Sequence, residues 1–248
     1  MTGTAMEYKI SWAVQTGRQH LLHNIPCQDQ IQIHREGGIV CAALADGAGS
    51  RESSHIGAAC VTRTTAALLC REFSQLCAMT QAQRAARLLQ RCLEELERQT
   101  PPIYELASTL LFFAADAEGT FLAGHLGDGV FIQVQDGEAT VVSPPENGFY
   151  QNETHFITAP DAPEHLRLRQ GRLHGHGALL MMSDGVAQSL YQHTSGIPAR
   201  ACATIARWLE EGEEAVISQA LAENMEQVFS AHSTDDLSLA VIAWKEKS

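Results

Sequence analysis

The sequence predicts an α+β sandwich formed by a single domain, with antiparallel strands and two separate pairs of helices. Its 248 residues are enough to bury one large core, and its 45% hydrophobic and 19% charged residues are typical of a globular chain. Short apolar runs bounded by turn residues indicate strands, and two regions have the three- and four-residue spacing of amphipathic helices. Because the helices are grouped between runs of hairpins, an α+β arrangement is favoured over a parallel βαβ fold.

The N-terminal part is predicted to form strands over residues 8–15, 30–34 and 39–45, with a polar loop over 16–29. The last two strands flank a turn at Gly37-Gly38, which predicts a hairpin. Asp29 stands before this hairpin and Asp46 after it. We therefore expect the two carboxylates to lie near each other at one edge of a sheet.

The next region is predicted to form two helices that lie as an antiparallel pair on a sheet. The first runs from Ser53 to about Cys77, with apolar residues at helical spacing. Thr80 is the expected N-cap of the second helix, which continues through Leu96 and ends before Pro101-Pro102.

The rest of the chain is predicted to be rich in strands, followed by a second helix pair. Strands are expected over 108–115, 120–126, 131–135 and 139–142, with a hairpin turn at Asp136-Gly137. Residues 143–177 are expected to form an irregular, substrate-facing connection, with short strand candidates at 155–158 and 167–169. A buried run over 178–182, helices over 201–210 and 213–229, and a strand over 237–244 complete the prediction.

Short aspartate motifs stand at the ends of the buried apolar runs. They are Ala45-Asp46-Gly47-Ala48-Gly49-Ser50, Gly127-Asp128-Gly129, Ser183-Asp184-Gly185 and Asp235-Asp236. A carboxylate at the end of a buried strand is costly unless a cation receives it. Taken singly, each motif could be an ordinary turn or cap, because Asp-Gly is a favoured turn sequence. Taken together, aspartates that converge from several strand ends predict an oxygen-ligand site for Mg²⁺ or Mn²⁺.

Composition argues against several other classes of protein. The formal net charge of −12 argues against binding to nucleic acid or to anionic membranes. No apolar run approaches the roughly 20 residues of a membrane helix, and the N-terminus has no signal-peptide pattern, so we expect a cytoplasmic location. The seven cysteines include no C-x-x-C pair, which favours free buried thiols. No Cys or His pair has the usual zinc-site spacing, so a zinc site is not expected.

With these motifs in hand, the chain resembles the metal-dependent PP2C-type serine/threonine protein phosphatases, specifically a bacterial subgroup. The resemblance covers about residues 8–244, and its motifs occur in the family's order. They are Pro26-Cys27-Gln28-Asp29, Ala45-Asp46-Gly47-Ala48-Gly49, Ser108-Thr109, Gly127-Asp128-Gly129, Ser183-Asp184-Gly185 and Asp235-Asp236-Leu237-Ser238. The resemblance implies a four-layer αββα sandwich with a binuclear Mg²⁺ or Mn²⁺ centre at one end.

The resemblance also implies roles for individual residues. Asp46 would bridge two metal ions and the Gly47 carbonyl would bind one of them, while Asp184 and Asp235 would bind the other. Asp29 would hold metal-bound water, and Asp128 matches an aspartate that helps to bind a weaker third ion. Asp236 stands where the family usually has Asn, and it would support the site from behind. A hydroxide activated at the metals would attack phosphorus directly.

Two residues depart from the wider family. Ala48 stands where the family usually has a histidine that donates a proton to the leaving alkoxide. The first loop has His20, the subgroup's residue, in place of the usual phosphate-binding arginine, and Arg18 or Arg51 could serve instead. General acid catalysis is worth roughly 10²–10⁴-fold, so we expect slower turnover of Ser/Thr phosphates than of aryl phosphates.

Three functions remain open from the sequence. The leading one is a protein phosphatase acting on phosphoserine and phosphothreonine, as a monomer, opposing a partner Ser/Thr kinase. The second is a catalytically weak or inactive pseudophosphatase that binds phosphoproteins as a regulator. The third keeps the metal site but acts on a small phosphate ester or a phosphorylated sigma-factor regulator.

Overall fold

The computed structural model describes residues 5–146 and 154–247, and its main body is two five-stranded antiparallel sheets. The strands are β1 Met6–Gln15, β2 Gln30–Glu36, β3 Ile39–Ala45, β4 Leu110–Ala115, β5 Thr120–Leu126, β6 Val130–Gln135, β7 Glu138–Ser143, β8 Arg167–Arg172, β9 His176–Met182, β10 Tyr191–Gln192, β11 Ile197–Pro198 and β12 Leu237–Glu246. The helices are α1 Arg18–His23, α2 Ser54–Ala78, α3 Gln81–Leu96, α4 Ala162–His165, α5 Asp184–Leu190, α6 Ala201–Glu211 and α7 Glu214–Gln227.

One sheet pairs the first strand with the last, and the other contains the hairpins β2–β3 and β4–β5 with β8 at its edge. One sheet has the order β1-β12-β9-β6-β7, and the other has the order β2-β3-β4-β5-β8. In the first sheet, the N-terminal strand pairs with the C-terminal strand along its whole length, from Met6↔Glu246 to Gln15↔Leu237. The two ends of the described chain are thereby joined in one sheet. The short pair β10-β11 stands apart from both sheets.

The predicted hairpin at Gly37-Gly38 is confirmed. Strands β2 and β3 pair from Glu36↔Ile39 at the turn to Gln30↔Ala45 at the open end. Both glycines of the turn have positive φ, which glycine adopts without a steric penalty. The register places Asp29 and Asp46 directly beyond the last pair, at the same end of the sheet.

Helices cover the outer face of each sheet, as the four-layer sandwich requires. Helices α2 and α3 contact each other, and α2 packs on β2, β3 and β4. Helices α6 and α7 pack on the other sheet, chiefly on β12 and β1. Thr80 caps α3 as predicted, since its hydroxyl accepts the Gln83 N–H while the Gln83 side chain accepts the Thr80 N–H. The α+β fold class is therefore confirmed.

Side-chain alternation along the strands divides the core into three layers. In β3, Cys41 and Ala43 face the α2–α3 pair, while Ala42 and Leu44 face the opposite sheet. Period-2 alternation explains why a strand buried on both faces reads as a continuous apolar run. The third layer, between the other sheet and helices α5, α6 and α7, contains residues such as Leu180.

Two of the differences between the structure and the sequence prediction lie near the aspartate motifs. The loop over 16–29 contains the short helix α1, none of whose residues is buried, so no apolar periodicity marked it. The strand candidate at 155–158 is wrong: residues 155–156 have no regular structure, residues 157–158 lie in a turn, and the Ile157 N–H donates to the Ser108 carbonyl outside any strand. Part of the predicted 143–177 connection, residues 147–153, lies outside the described residues.

Two composition-based expectations can also be compared with the structure. All seven cysteines are free, as predicted. No helix within residues 5–146 and 154–247 is long and apolar enough to cross a bilayer.

Candidate active site

Five aspartates from both sheets meet at one end of the sandwich. Asp29 and Asp46 flank the open end of the β2–β3 hairpin, Asp184 follows β9, and Asp235 precedes β12. Asp128 lies in the three-residue connection between β5 and β6, which crosses from one sheet to the other. Burial raises the pKa of Asp46, and charge repulsion from each of the other four carboxylates raises it further.

The backbone around Asp46 is held by residues that precede β4. The Asp46 N–H donates to the Thr109 hydroxyl at 2.9 Å, and the Thr109 N–H donates to the Asp46 carbonyl at 2.8 Å. Gly47 has no room for a side chain, because a Cβ would lie 2.8 Å from the Ser54 hydroxyl oxygen. The position of Asp46 therefore depends on a reciprocal pair of hydrogen bonds with Thr109. The sequence motif Ser108-Thr109 did not reveal this role.

The strand ends that bear Asp184 and Asp235 are joined in a similar way. The Ser183 N–H donates to the Ser238 carbonyl at 3.1 Å, and the Ser238 N–H donates to the Ser183 hydroxyl at 3.1 Å. A Cβ on Gly185 would lie 2.1 Å from the Asp236 carbonyl oxygen. The start of α5 thus lies directly against the Asp235-Asp236 segment, and only glycine permits this approach.

Asp128 is positioned by the crossing between the sheets and by one hydroxyl. Gly127 has φ +112°, and a Cβ there would lie 2.5 Å from a methyl carbon of Thr109. The Thr154 hydroxyl donates to an Asp128 carboxylate oxygen at 2.6 Å. Since β5 and β6 belong to different sheets, the Gly-Asp-Gly sequence is a crossing rather than a hairpin turn.

The five aspartates differ in their exposure to solvent. Asp29 is only 1% exposed, Asp46, Asp128 and Asp184 are partly exposed, and Asp235 is exposed at the rim. Burial, reinforced by neighbouring carboxylates, raises the pKa of Asp46 well above its usual range. Burial likewise raises the pKa of both Asp29 and Asp184 to about 7, and it raises the pKa of Asp128.

The cluster has the features of a cation site. Both carboxylate oxygens of Asp29 and Oδ1 of Asp184 are buried, with no hydrogen-bond partner among the described residues. Within the same residues, none of the five carboxylates is ion-paired with Lys, Arg or His. Buried carboxylates need a positive partner, and oxygen ligands suit Mg²⁺ and Mn²⁺. The residues present therefore fit the divalent ions that the sequence predicts.

Asp236 has a different environment from its neighbour Asp235. It is 2% exposed, and its carboxylate accepts the Gly17 N–H at 2.6 Å, the Gln28 N–H at 2.5 Å and a bond from His20 Nδ1 at 2.9 Å. These three bonds attach α1 and the segment before β2 to the start of β12. Because its two carboxylate oxygens take part in these bonds, Asp236 holds the surrounding segments in place and is not among the candidate metal ligands.

The family model described as "Protein phosphatase 2C" matches residues 16–226, which is most of the chain. The chain belongs to the protein phosphatase 2C family. Among curated proteins, it is 25% identical over 205 residues to serine/threonine-protein phosphatase 3 of Escherichia coli (strain K12), covering 78% of this chain and 80% of the relative. The family is one of serine/threonine phosphatases, so the chain is classed as an enzyme of that type.

Solved structures of family members share the fold across almost the whole chain. One is the catalytic domain of the serine/threonine protein phosphatase PstP in complex with two manganese ions, with 15% identity and a TM-score of 0.65 over 97% of this chain and 100% of that one. Another is the S. agalactiae serine/threonine phosphatase, with 16% identity and a TM-score of 0.64 over 95% of this chain and 99% of that one.

The positions that depart from the PP2C pattern lie around the cluster. Ala48 is 6% exposed and its N–H donates to the Ala107 carbonyl at 3.0 Å, so a methyl group occupies the usual histidine position. His20 lies on α1 with its Nδ1 held by Asp236, and Arg18 on the same helix is exposed. Arg51 lies 5.9 Å from the Tyr104 ring centroid and 3.8 Å from a Glu105 oxygen.

Proposed function

We propose that this chain hydrolyses phosphoserine and phosphothreonine in proteins, using two Mn²⁺ or Mg²⁺ ions held by the aspartate cluster. The observation that carries the proposal is the convergence of five carboxylates, without a cationic partner among the described residues, at the strand ends of a PP2C fold. Asp46 would help to hold both ions, with the Gly47 carbonyl as a further ligand beside it. Asp184 and Asp235 are the other expected direct ligands.

The remaining aspartates have supporting roles in this proposal. Asp29, at the buried base, would hold water next to the ions through its unpaired oxygens. Asp128, held by Thr154, would contribute to a weaker third ion site. When bound, the divalent ions would neutralise phosphoryl oxygens and lower the pKa of the attacking water.

In this proposal, residues of the chain orient the substrate, and solvent supplies the proton to the leaving group. Arg18 and His20 lie on α1, which Asp236 fixes beside the cluster, and they are the proposed contacts for the phosphate. Ala48 can donate no proton to the departing alkoxide. Alkyl phosphates therefore depend on solvent for that proton, whereas an aryl oxide leaves more readily without one.

The proposal also covers the oligomeric state, the partners and the location of the enzyme. We propose that the single domain acts as a monomer on phosphoproteins, opposing a Ser/Thr kinase in the cytoplasm. The acidic net charge of −12 supports protein rather than nucleic-acid substrates. A pseudophosphatase remains the second candidate, and buried Ala48 is the observation that favours it.

The test is hydrolysis of p-nitrophenyl phosphate and of a phosphothreonine peptide with Mn²⁺, Mg²⁺ or EDTA. The parent is compared with Asp46→Asn and, as a control, with Asp136→Asn in the exposed β6–β7 turn. We expect metal-dependent turnover of both substrates, faster on the aryl ester, that is lost in Asp46→Asn and retained in Asp136→Asn. Folded, Mn²⁺-loaded protein that turns over neither substrate would refute the proposal and favour the pseudophosphatase.

A further inference from the structure

A second cluster of possible metal ligands lies beside the aspartates, in the connection over residues 143–177. It consists of Glu146, His155 and His165, and one ligand atom from each residue lies within 4.8 Å of the other two. Within residues 5–146 and 154–247, no other group of three or more His, Cys, Asp or Glu side chains meets this distance. Among the described residues, the ligand atoms of this cluster therefore lie closer together than those of any three of the aspartates.

The three side chains are held in place by contacts around them. His165 Nδ1 lies 2.8 Å from Glu146 Oε1, and the rings of His155 and His165 stack with centroids 3.4 Å apart. Arg167 Nε lies 3.2 Å from the other Glu146 oxygen, which leaves Oε1 directed at the histidines. Metal-binding carboxylates are commonly oriented by such an outer partner.

The cluster is partly enclosed but open to solvent. The side chains of Glu146, His155 and His165 are 28%, 17% and 26% exposed. Asp161 Oδ2 lies 3.5 Å from His165 Nε2 and 3.9 Å from His155 Nδ1, close enough to supply a fourth ligand after a small movement. Two imidazole nitrogens and one or two carboxylate oxygens form a common ligand set for zinc.

We propose that Glu146, His155 and His165 form a binding site for Zn²⁺ or a similar imidazole-preferring cation, separate from the aspartate cluster. Mg²⁺ takes oxygen ligands and would prefer the aspartates, so the two clusters select different metals. The two histidines are ten residues apart in the sequence, outside the local spacings that identify zinc sites. The turn and α4 between them bring the rings together, and sequence spacing alone, which predicts no zinc site, does not show this contact.

Zinc binding requires the imidazole rings of His155 and His165 to change their relative orientation. A metal bond lies in the plane of an imidazole ring, whereas the two rings are now nearly parallel, with an interplanar angle of 13°. The stack must therefore open so that both rings can direct a nitrogen at one ion. This predicts a change in the ring resonances of His155 and His165 when zinc binds.

The site would also be linked to the aspartate cluster through the backbone. His155 directly follows Thr154, whose hydroxyl donates to Asp128. The Glu146 N–H donates to the carbonyl of Gly127, the residue before Asp128, at 3.1 Å. Zinc bound here would therefore hold both contacts around Asp128 in place. The inference does not depend on the proposed phosphatase activity.

The first experiment measures Zn²⁺ binding by isothermal titration calorimetry in excess Mg²⁺. It uses a chain with Asp46→Asn and Asp184→Asn, which removes the aspartate site. We expect one Zn²⁺ per chain, and at least about tenfold weaker binding after His155→Gln or His165→Gln. His176→Gln, which replaces an exposed histidine at the start of β9, is the matched control and should leave binding unchanged.

The second experiment follows the histidine ring resonances of the parent chain by NMR during a Zn²⁺ titration. Shifts of the His155 and His165 rings, with those of His176 unchanged, are expected, and this measurement does not depend on any variant folding. Absence of zinc binding, or zinc binding that survives both His155→Gln and His165→Gln, would overturn the proposal. The cluster would then be a set of ion pairs only.

Discussion

Replacing Asp236 by Asn should destabilise the protein even without metal, although Asn is the family's usual residue at this position. Asp236 offers oxygen acceptors to two backbone N–H groups, those of Gly17 at 2.6 Å and Gln28 at 2.5 Å, and to His20. The first bond goes to Oδ1 and the other two go to Oδ2. Asn has one oxygen, so whichever way its amide is turned, an NH₂ group must face one of the two backbone donors.

The cost can be worked out from these contacts. One buried N–H loses its acceptor, at about 1–3 kcal/mol, and the remaining bonds lose the extra strength of an ionised acceptor. We therefore expect a loss of about 2–4 kcal/mol. For a chain of this size, each kcal/mol lowers the midpoint of thermal unfolding by about 2–4 °C, so the total shift should be about 4–16 °C.

The assay is urea and thermal unfolding in EDTA, so that changes in metal affinity do not contribute. A lower urea midpoint with an unchanged m-value would indicate lost native-state stability. Asp136→Asn is the control, because Asp136 lies in a turn at φ +52°, a conformation that Asn also tolerates. An Asp236→Asn protein as stable as this control would refute the view that Asp236 needs both oxygens.

Three further predictions follow from the same structure. Thr109→Val should lower metal-dependent turnover more than the small loss of stability explains, because the Asp46 N–H loses the Thr109 hydroxyl as its acceptor. Mn²⁺ titration of phosphatase activity checks this, and unchanged activity would contradict it. Leu111→Ala, in the layer between the sheets, should cost about 2–5 kcal/mol of the free energy of unfolding, measured in urea. It should also weaken Mn²⁺ binding more than Leu88→Ala beneath the helices, because the proposed ligands come from both sheets. Burial beside Arg167 keeps the pKa of His125 well below its usual value, so the unfolded chain takes up the proton first and stability should fall as the pH drops below about 6.5. In urea unfolding between pH 5 and 7.5, His125→Asn should reduce this loss by up to about 1.4 kcal/mol per pH unit. The same dependence of unfolding free energy on pH in both proteins would contradict it.

The elements that could be predicted from the sequence are those with a strong local pattern. The limits of β3 match the predicted strand because a strand buried on both faces is continuously apolar and ends at turn residues. The limits of β5 also match, because glycines stand directly before and after it. Thr80 was identifiable as a cap because its hydroxyl and Gln83 stand three residues apart. In both cases the decisive interactions are between near neighbours in the sequence.

The elements that could not be predicted depend on partners far away in the sequence. Helix α1 has six residues and no apolar face, and it is attached by the Gly17 and His20 bonds to Asp236, more than 200 residues away. The pairing of Thr109 with Asp46 links residues 63 apart. The His155–His165 stack depends on a turn that was interpreted as a strand. None of these contacts leaves a periodic signal.

The spacing of the aspartate cluster depends on the side chains packed between the two sheets. Asp29 and Asp46 adjoin strand ends of one sheet, Asp184 and Asp235 lie next to strand ends of the other, and Asp128 lies in the crossing between them. The distance between the two pairs of carboxylates is therefore set by the side chains packed between the sheets, not by either sheet alone. Close backbone approaches at Gly47 and Gly185 fix each half separately. A metal ion bound by both halves would in turn hold the two sheets together, so metal binding and sheet packing should stabilise each other.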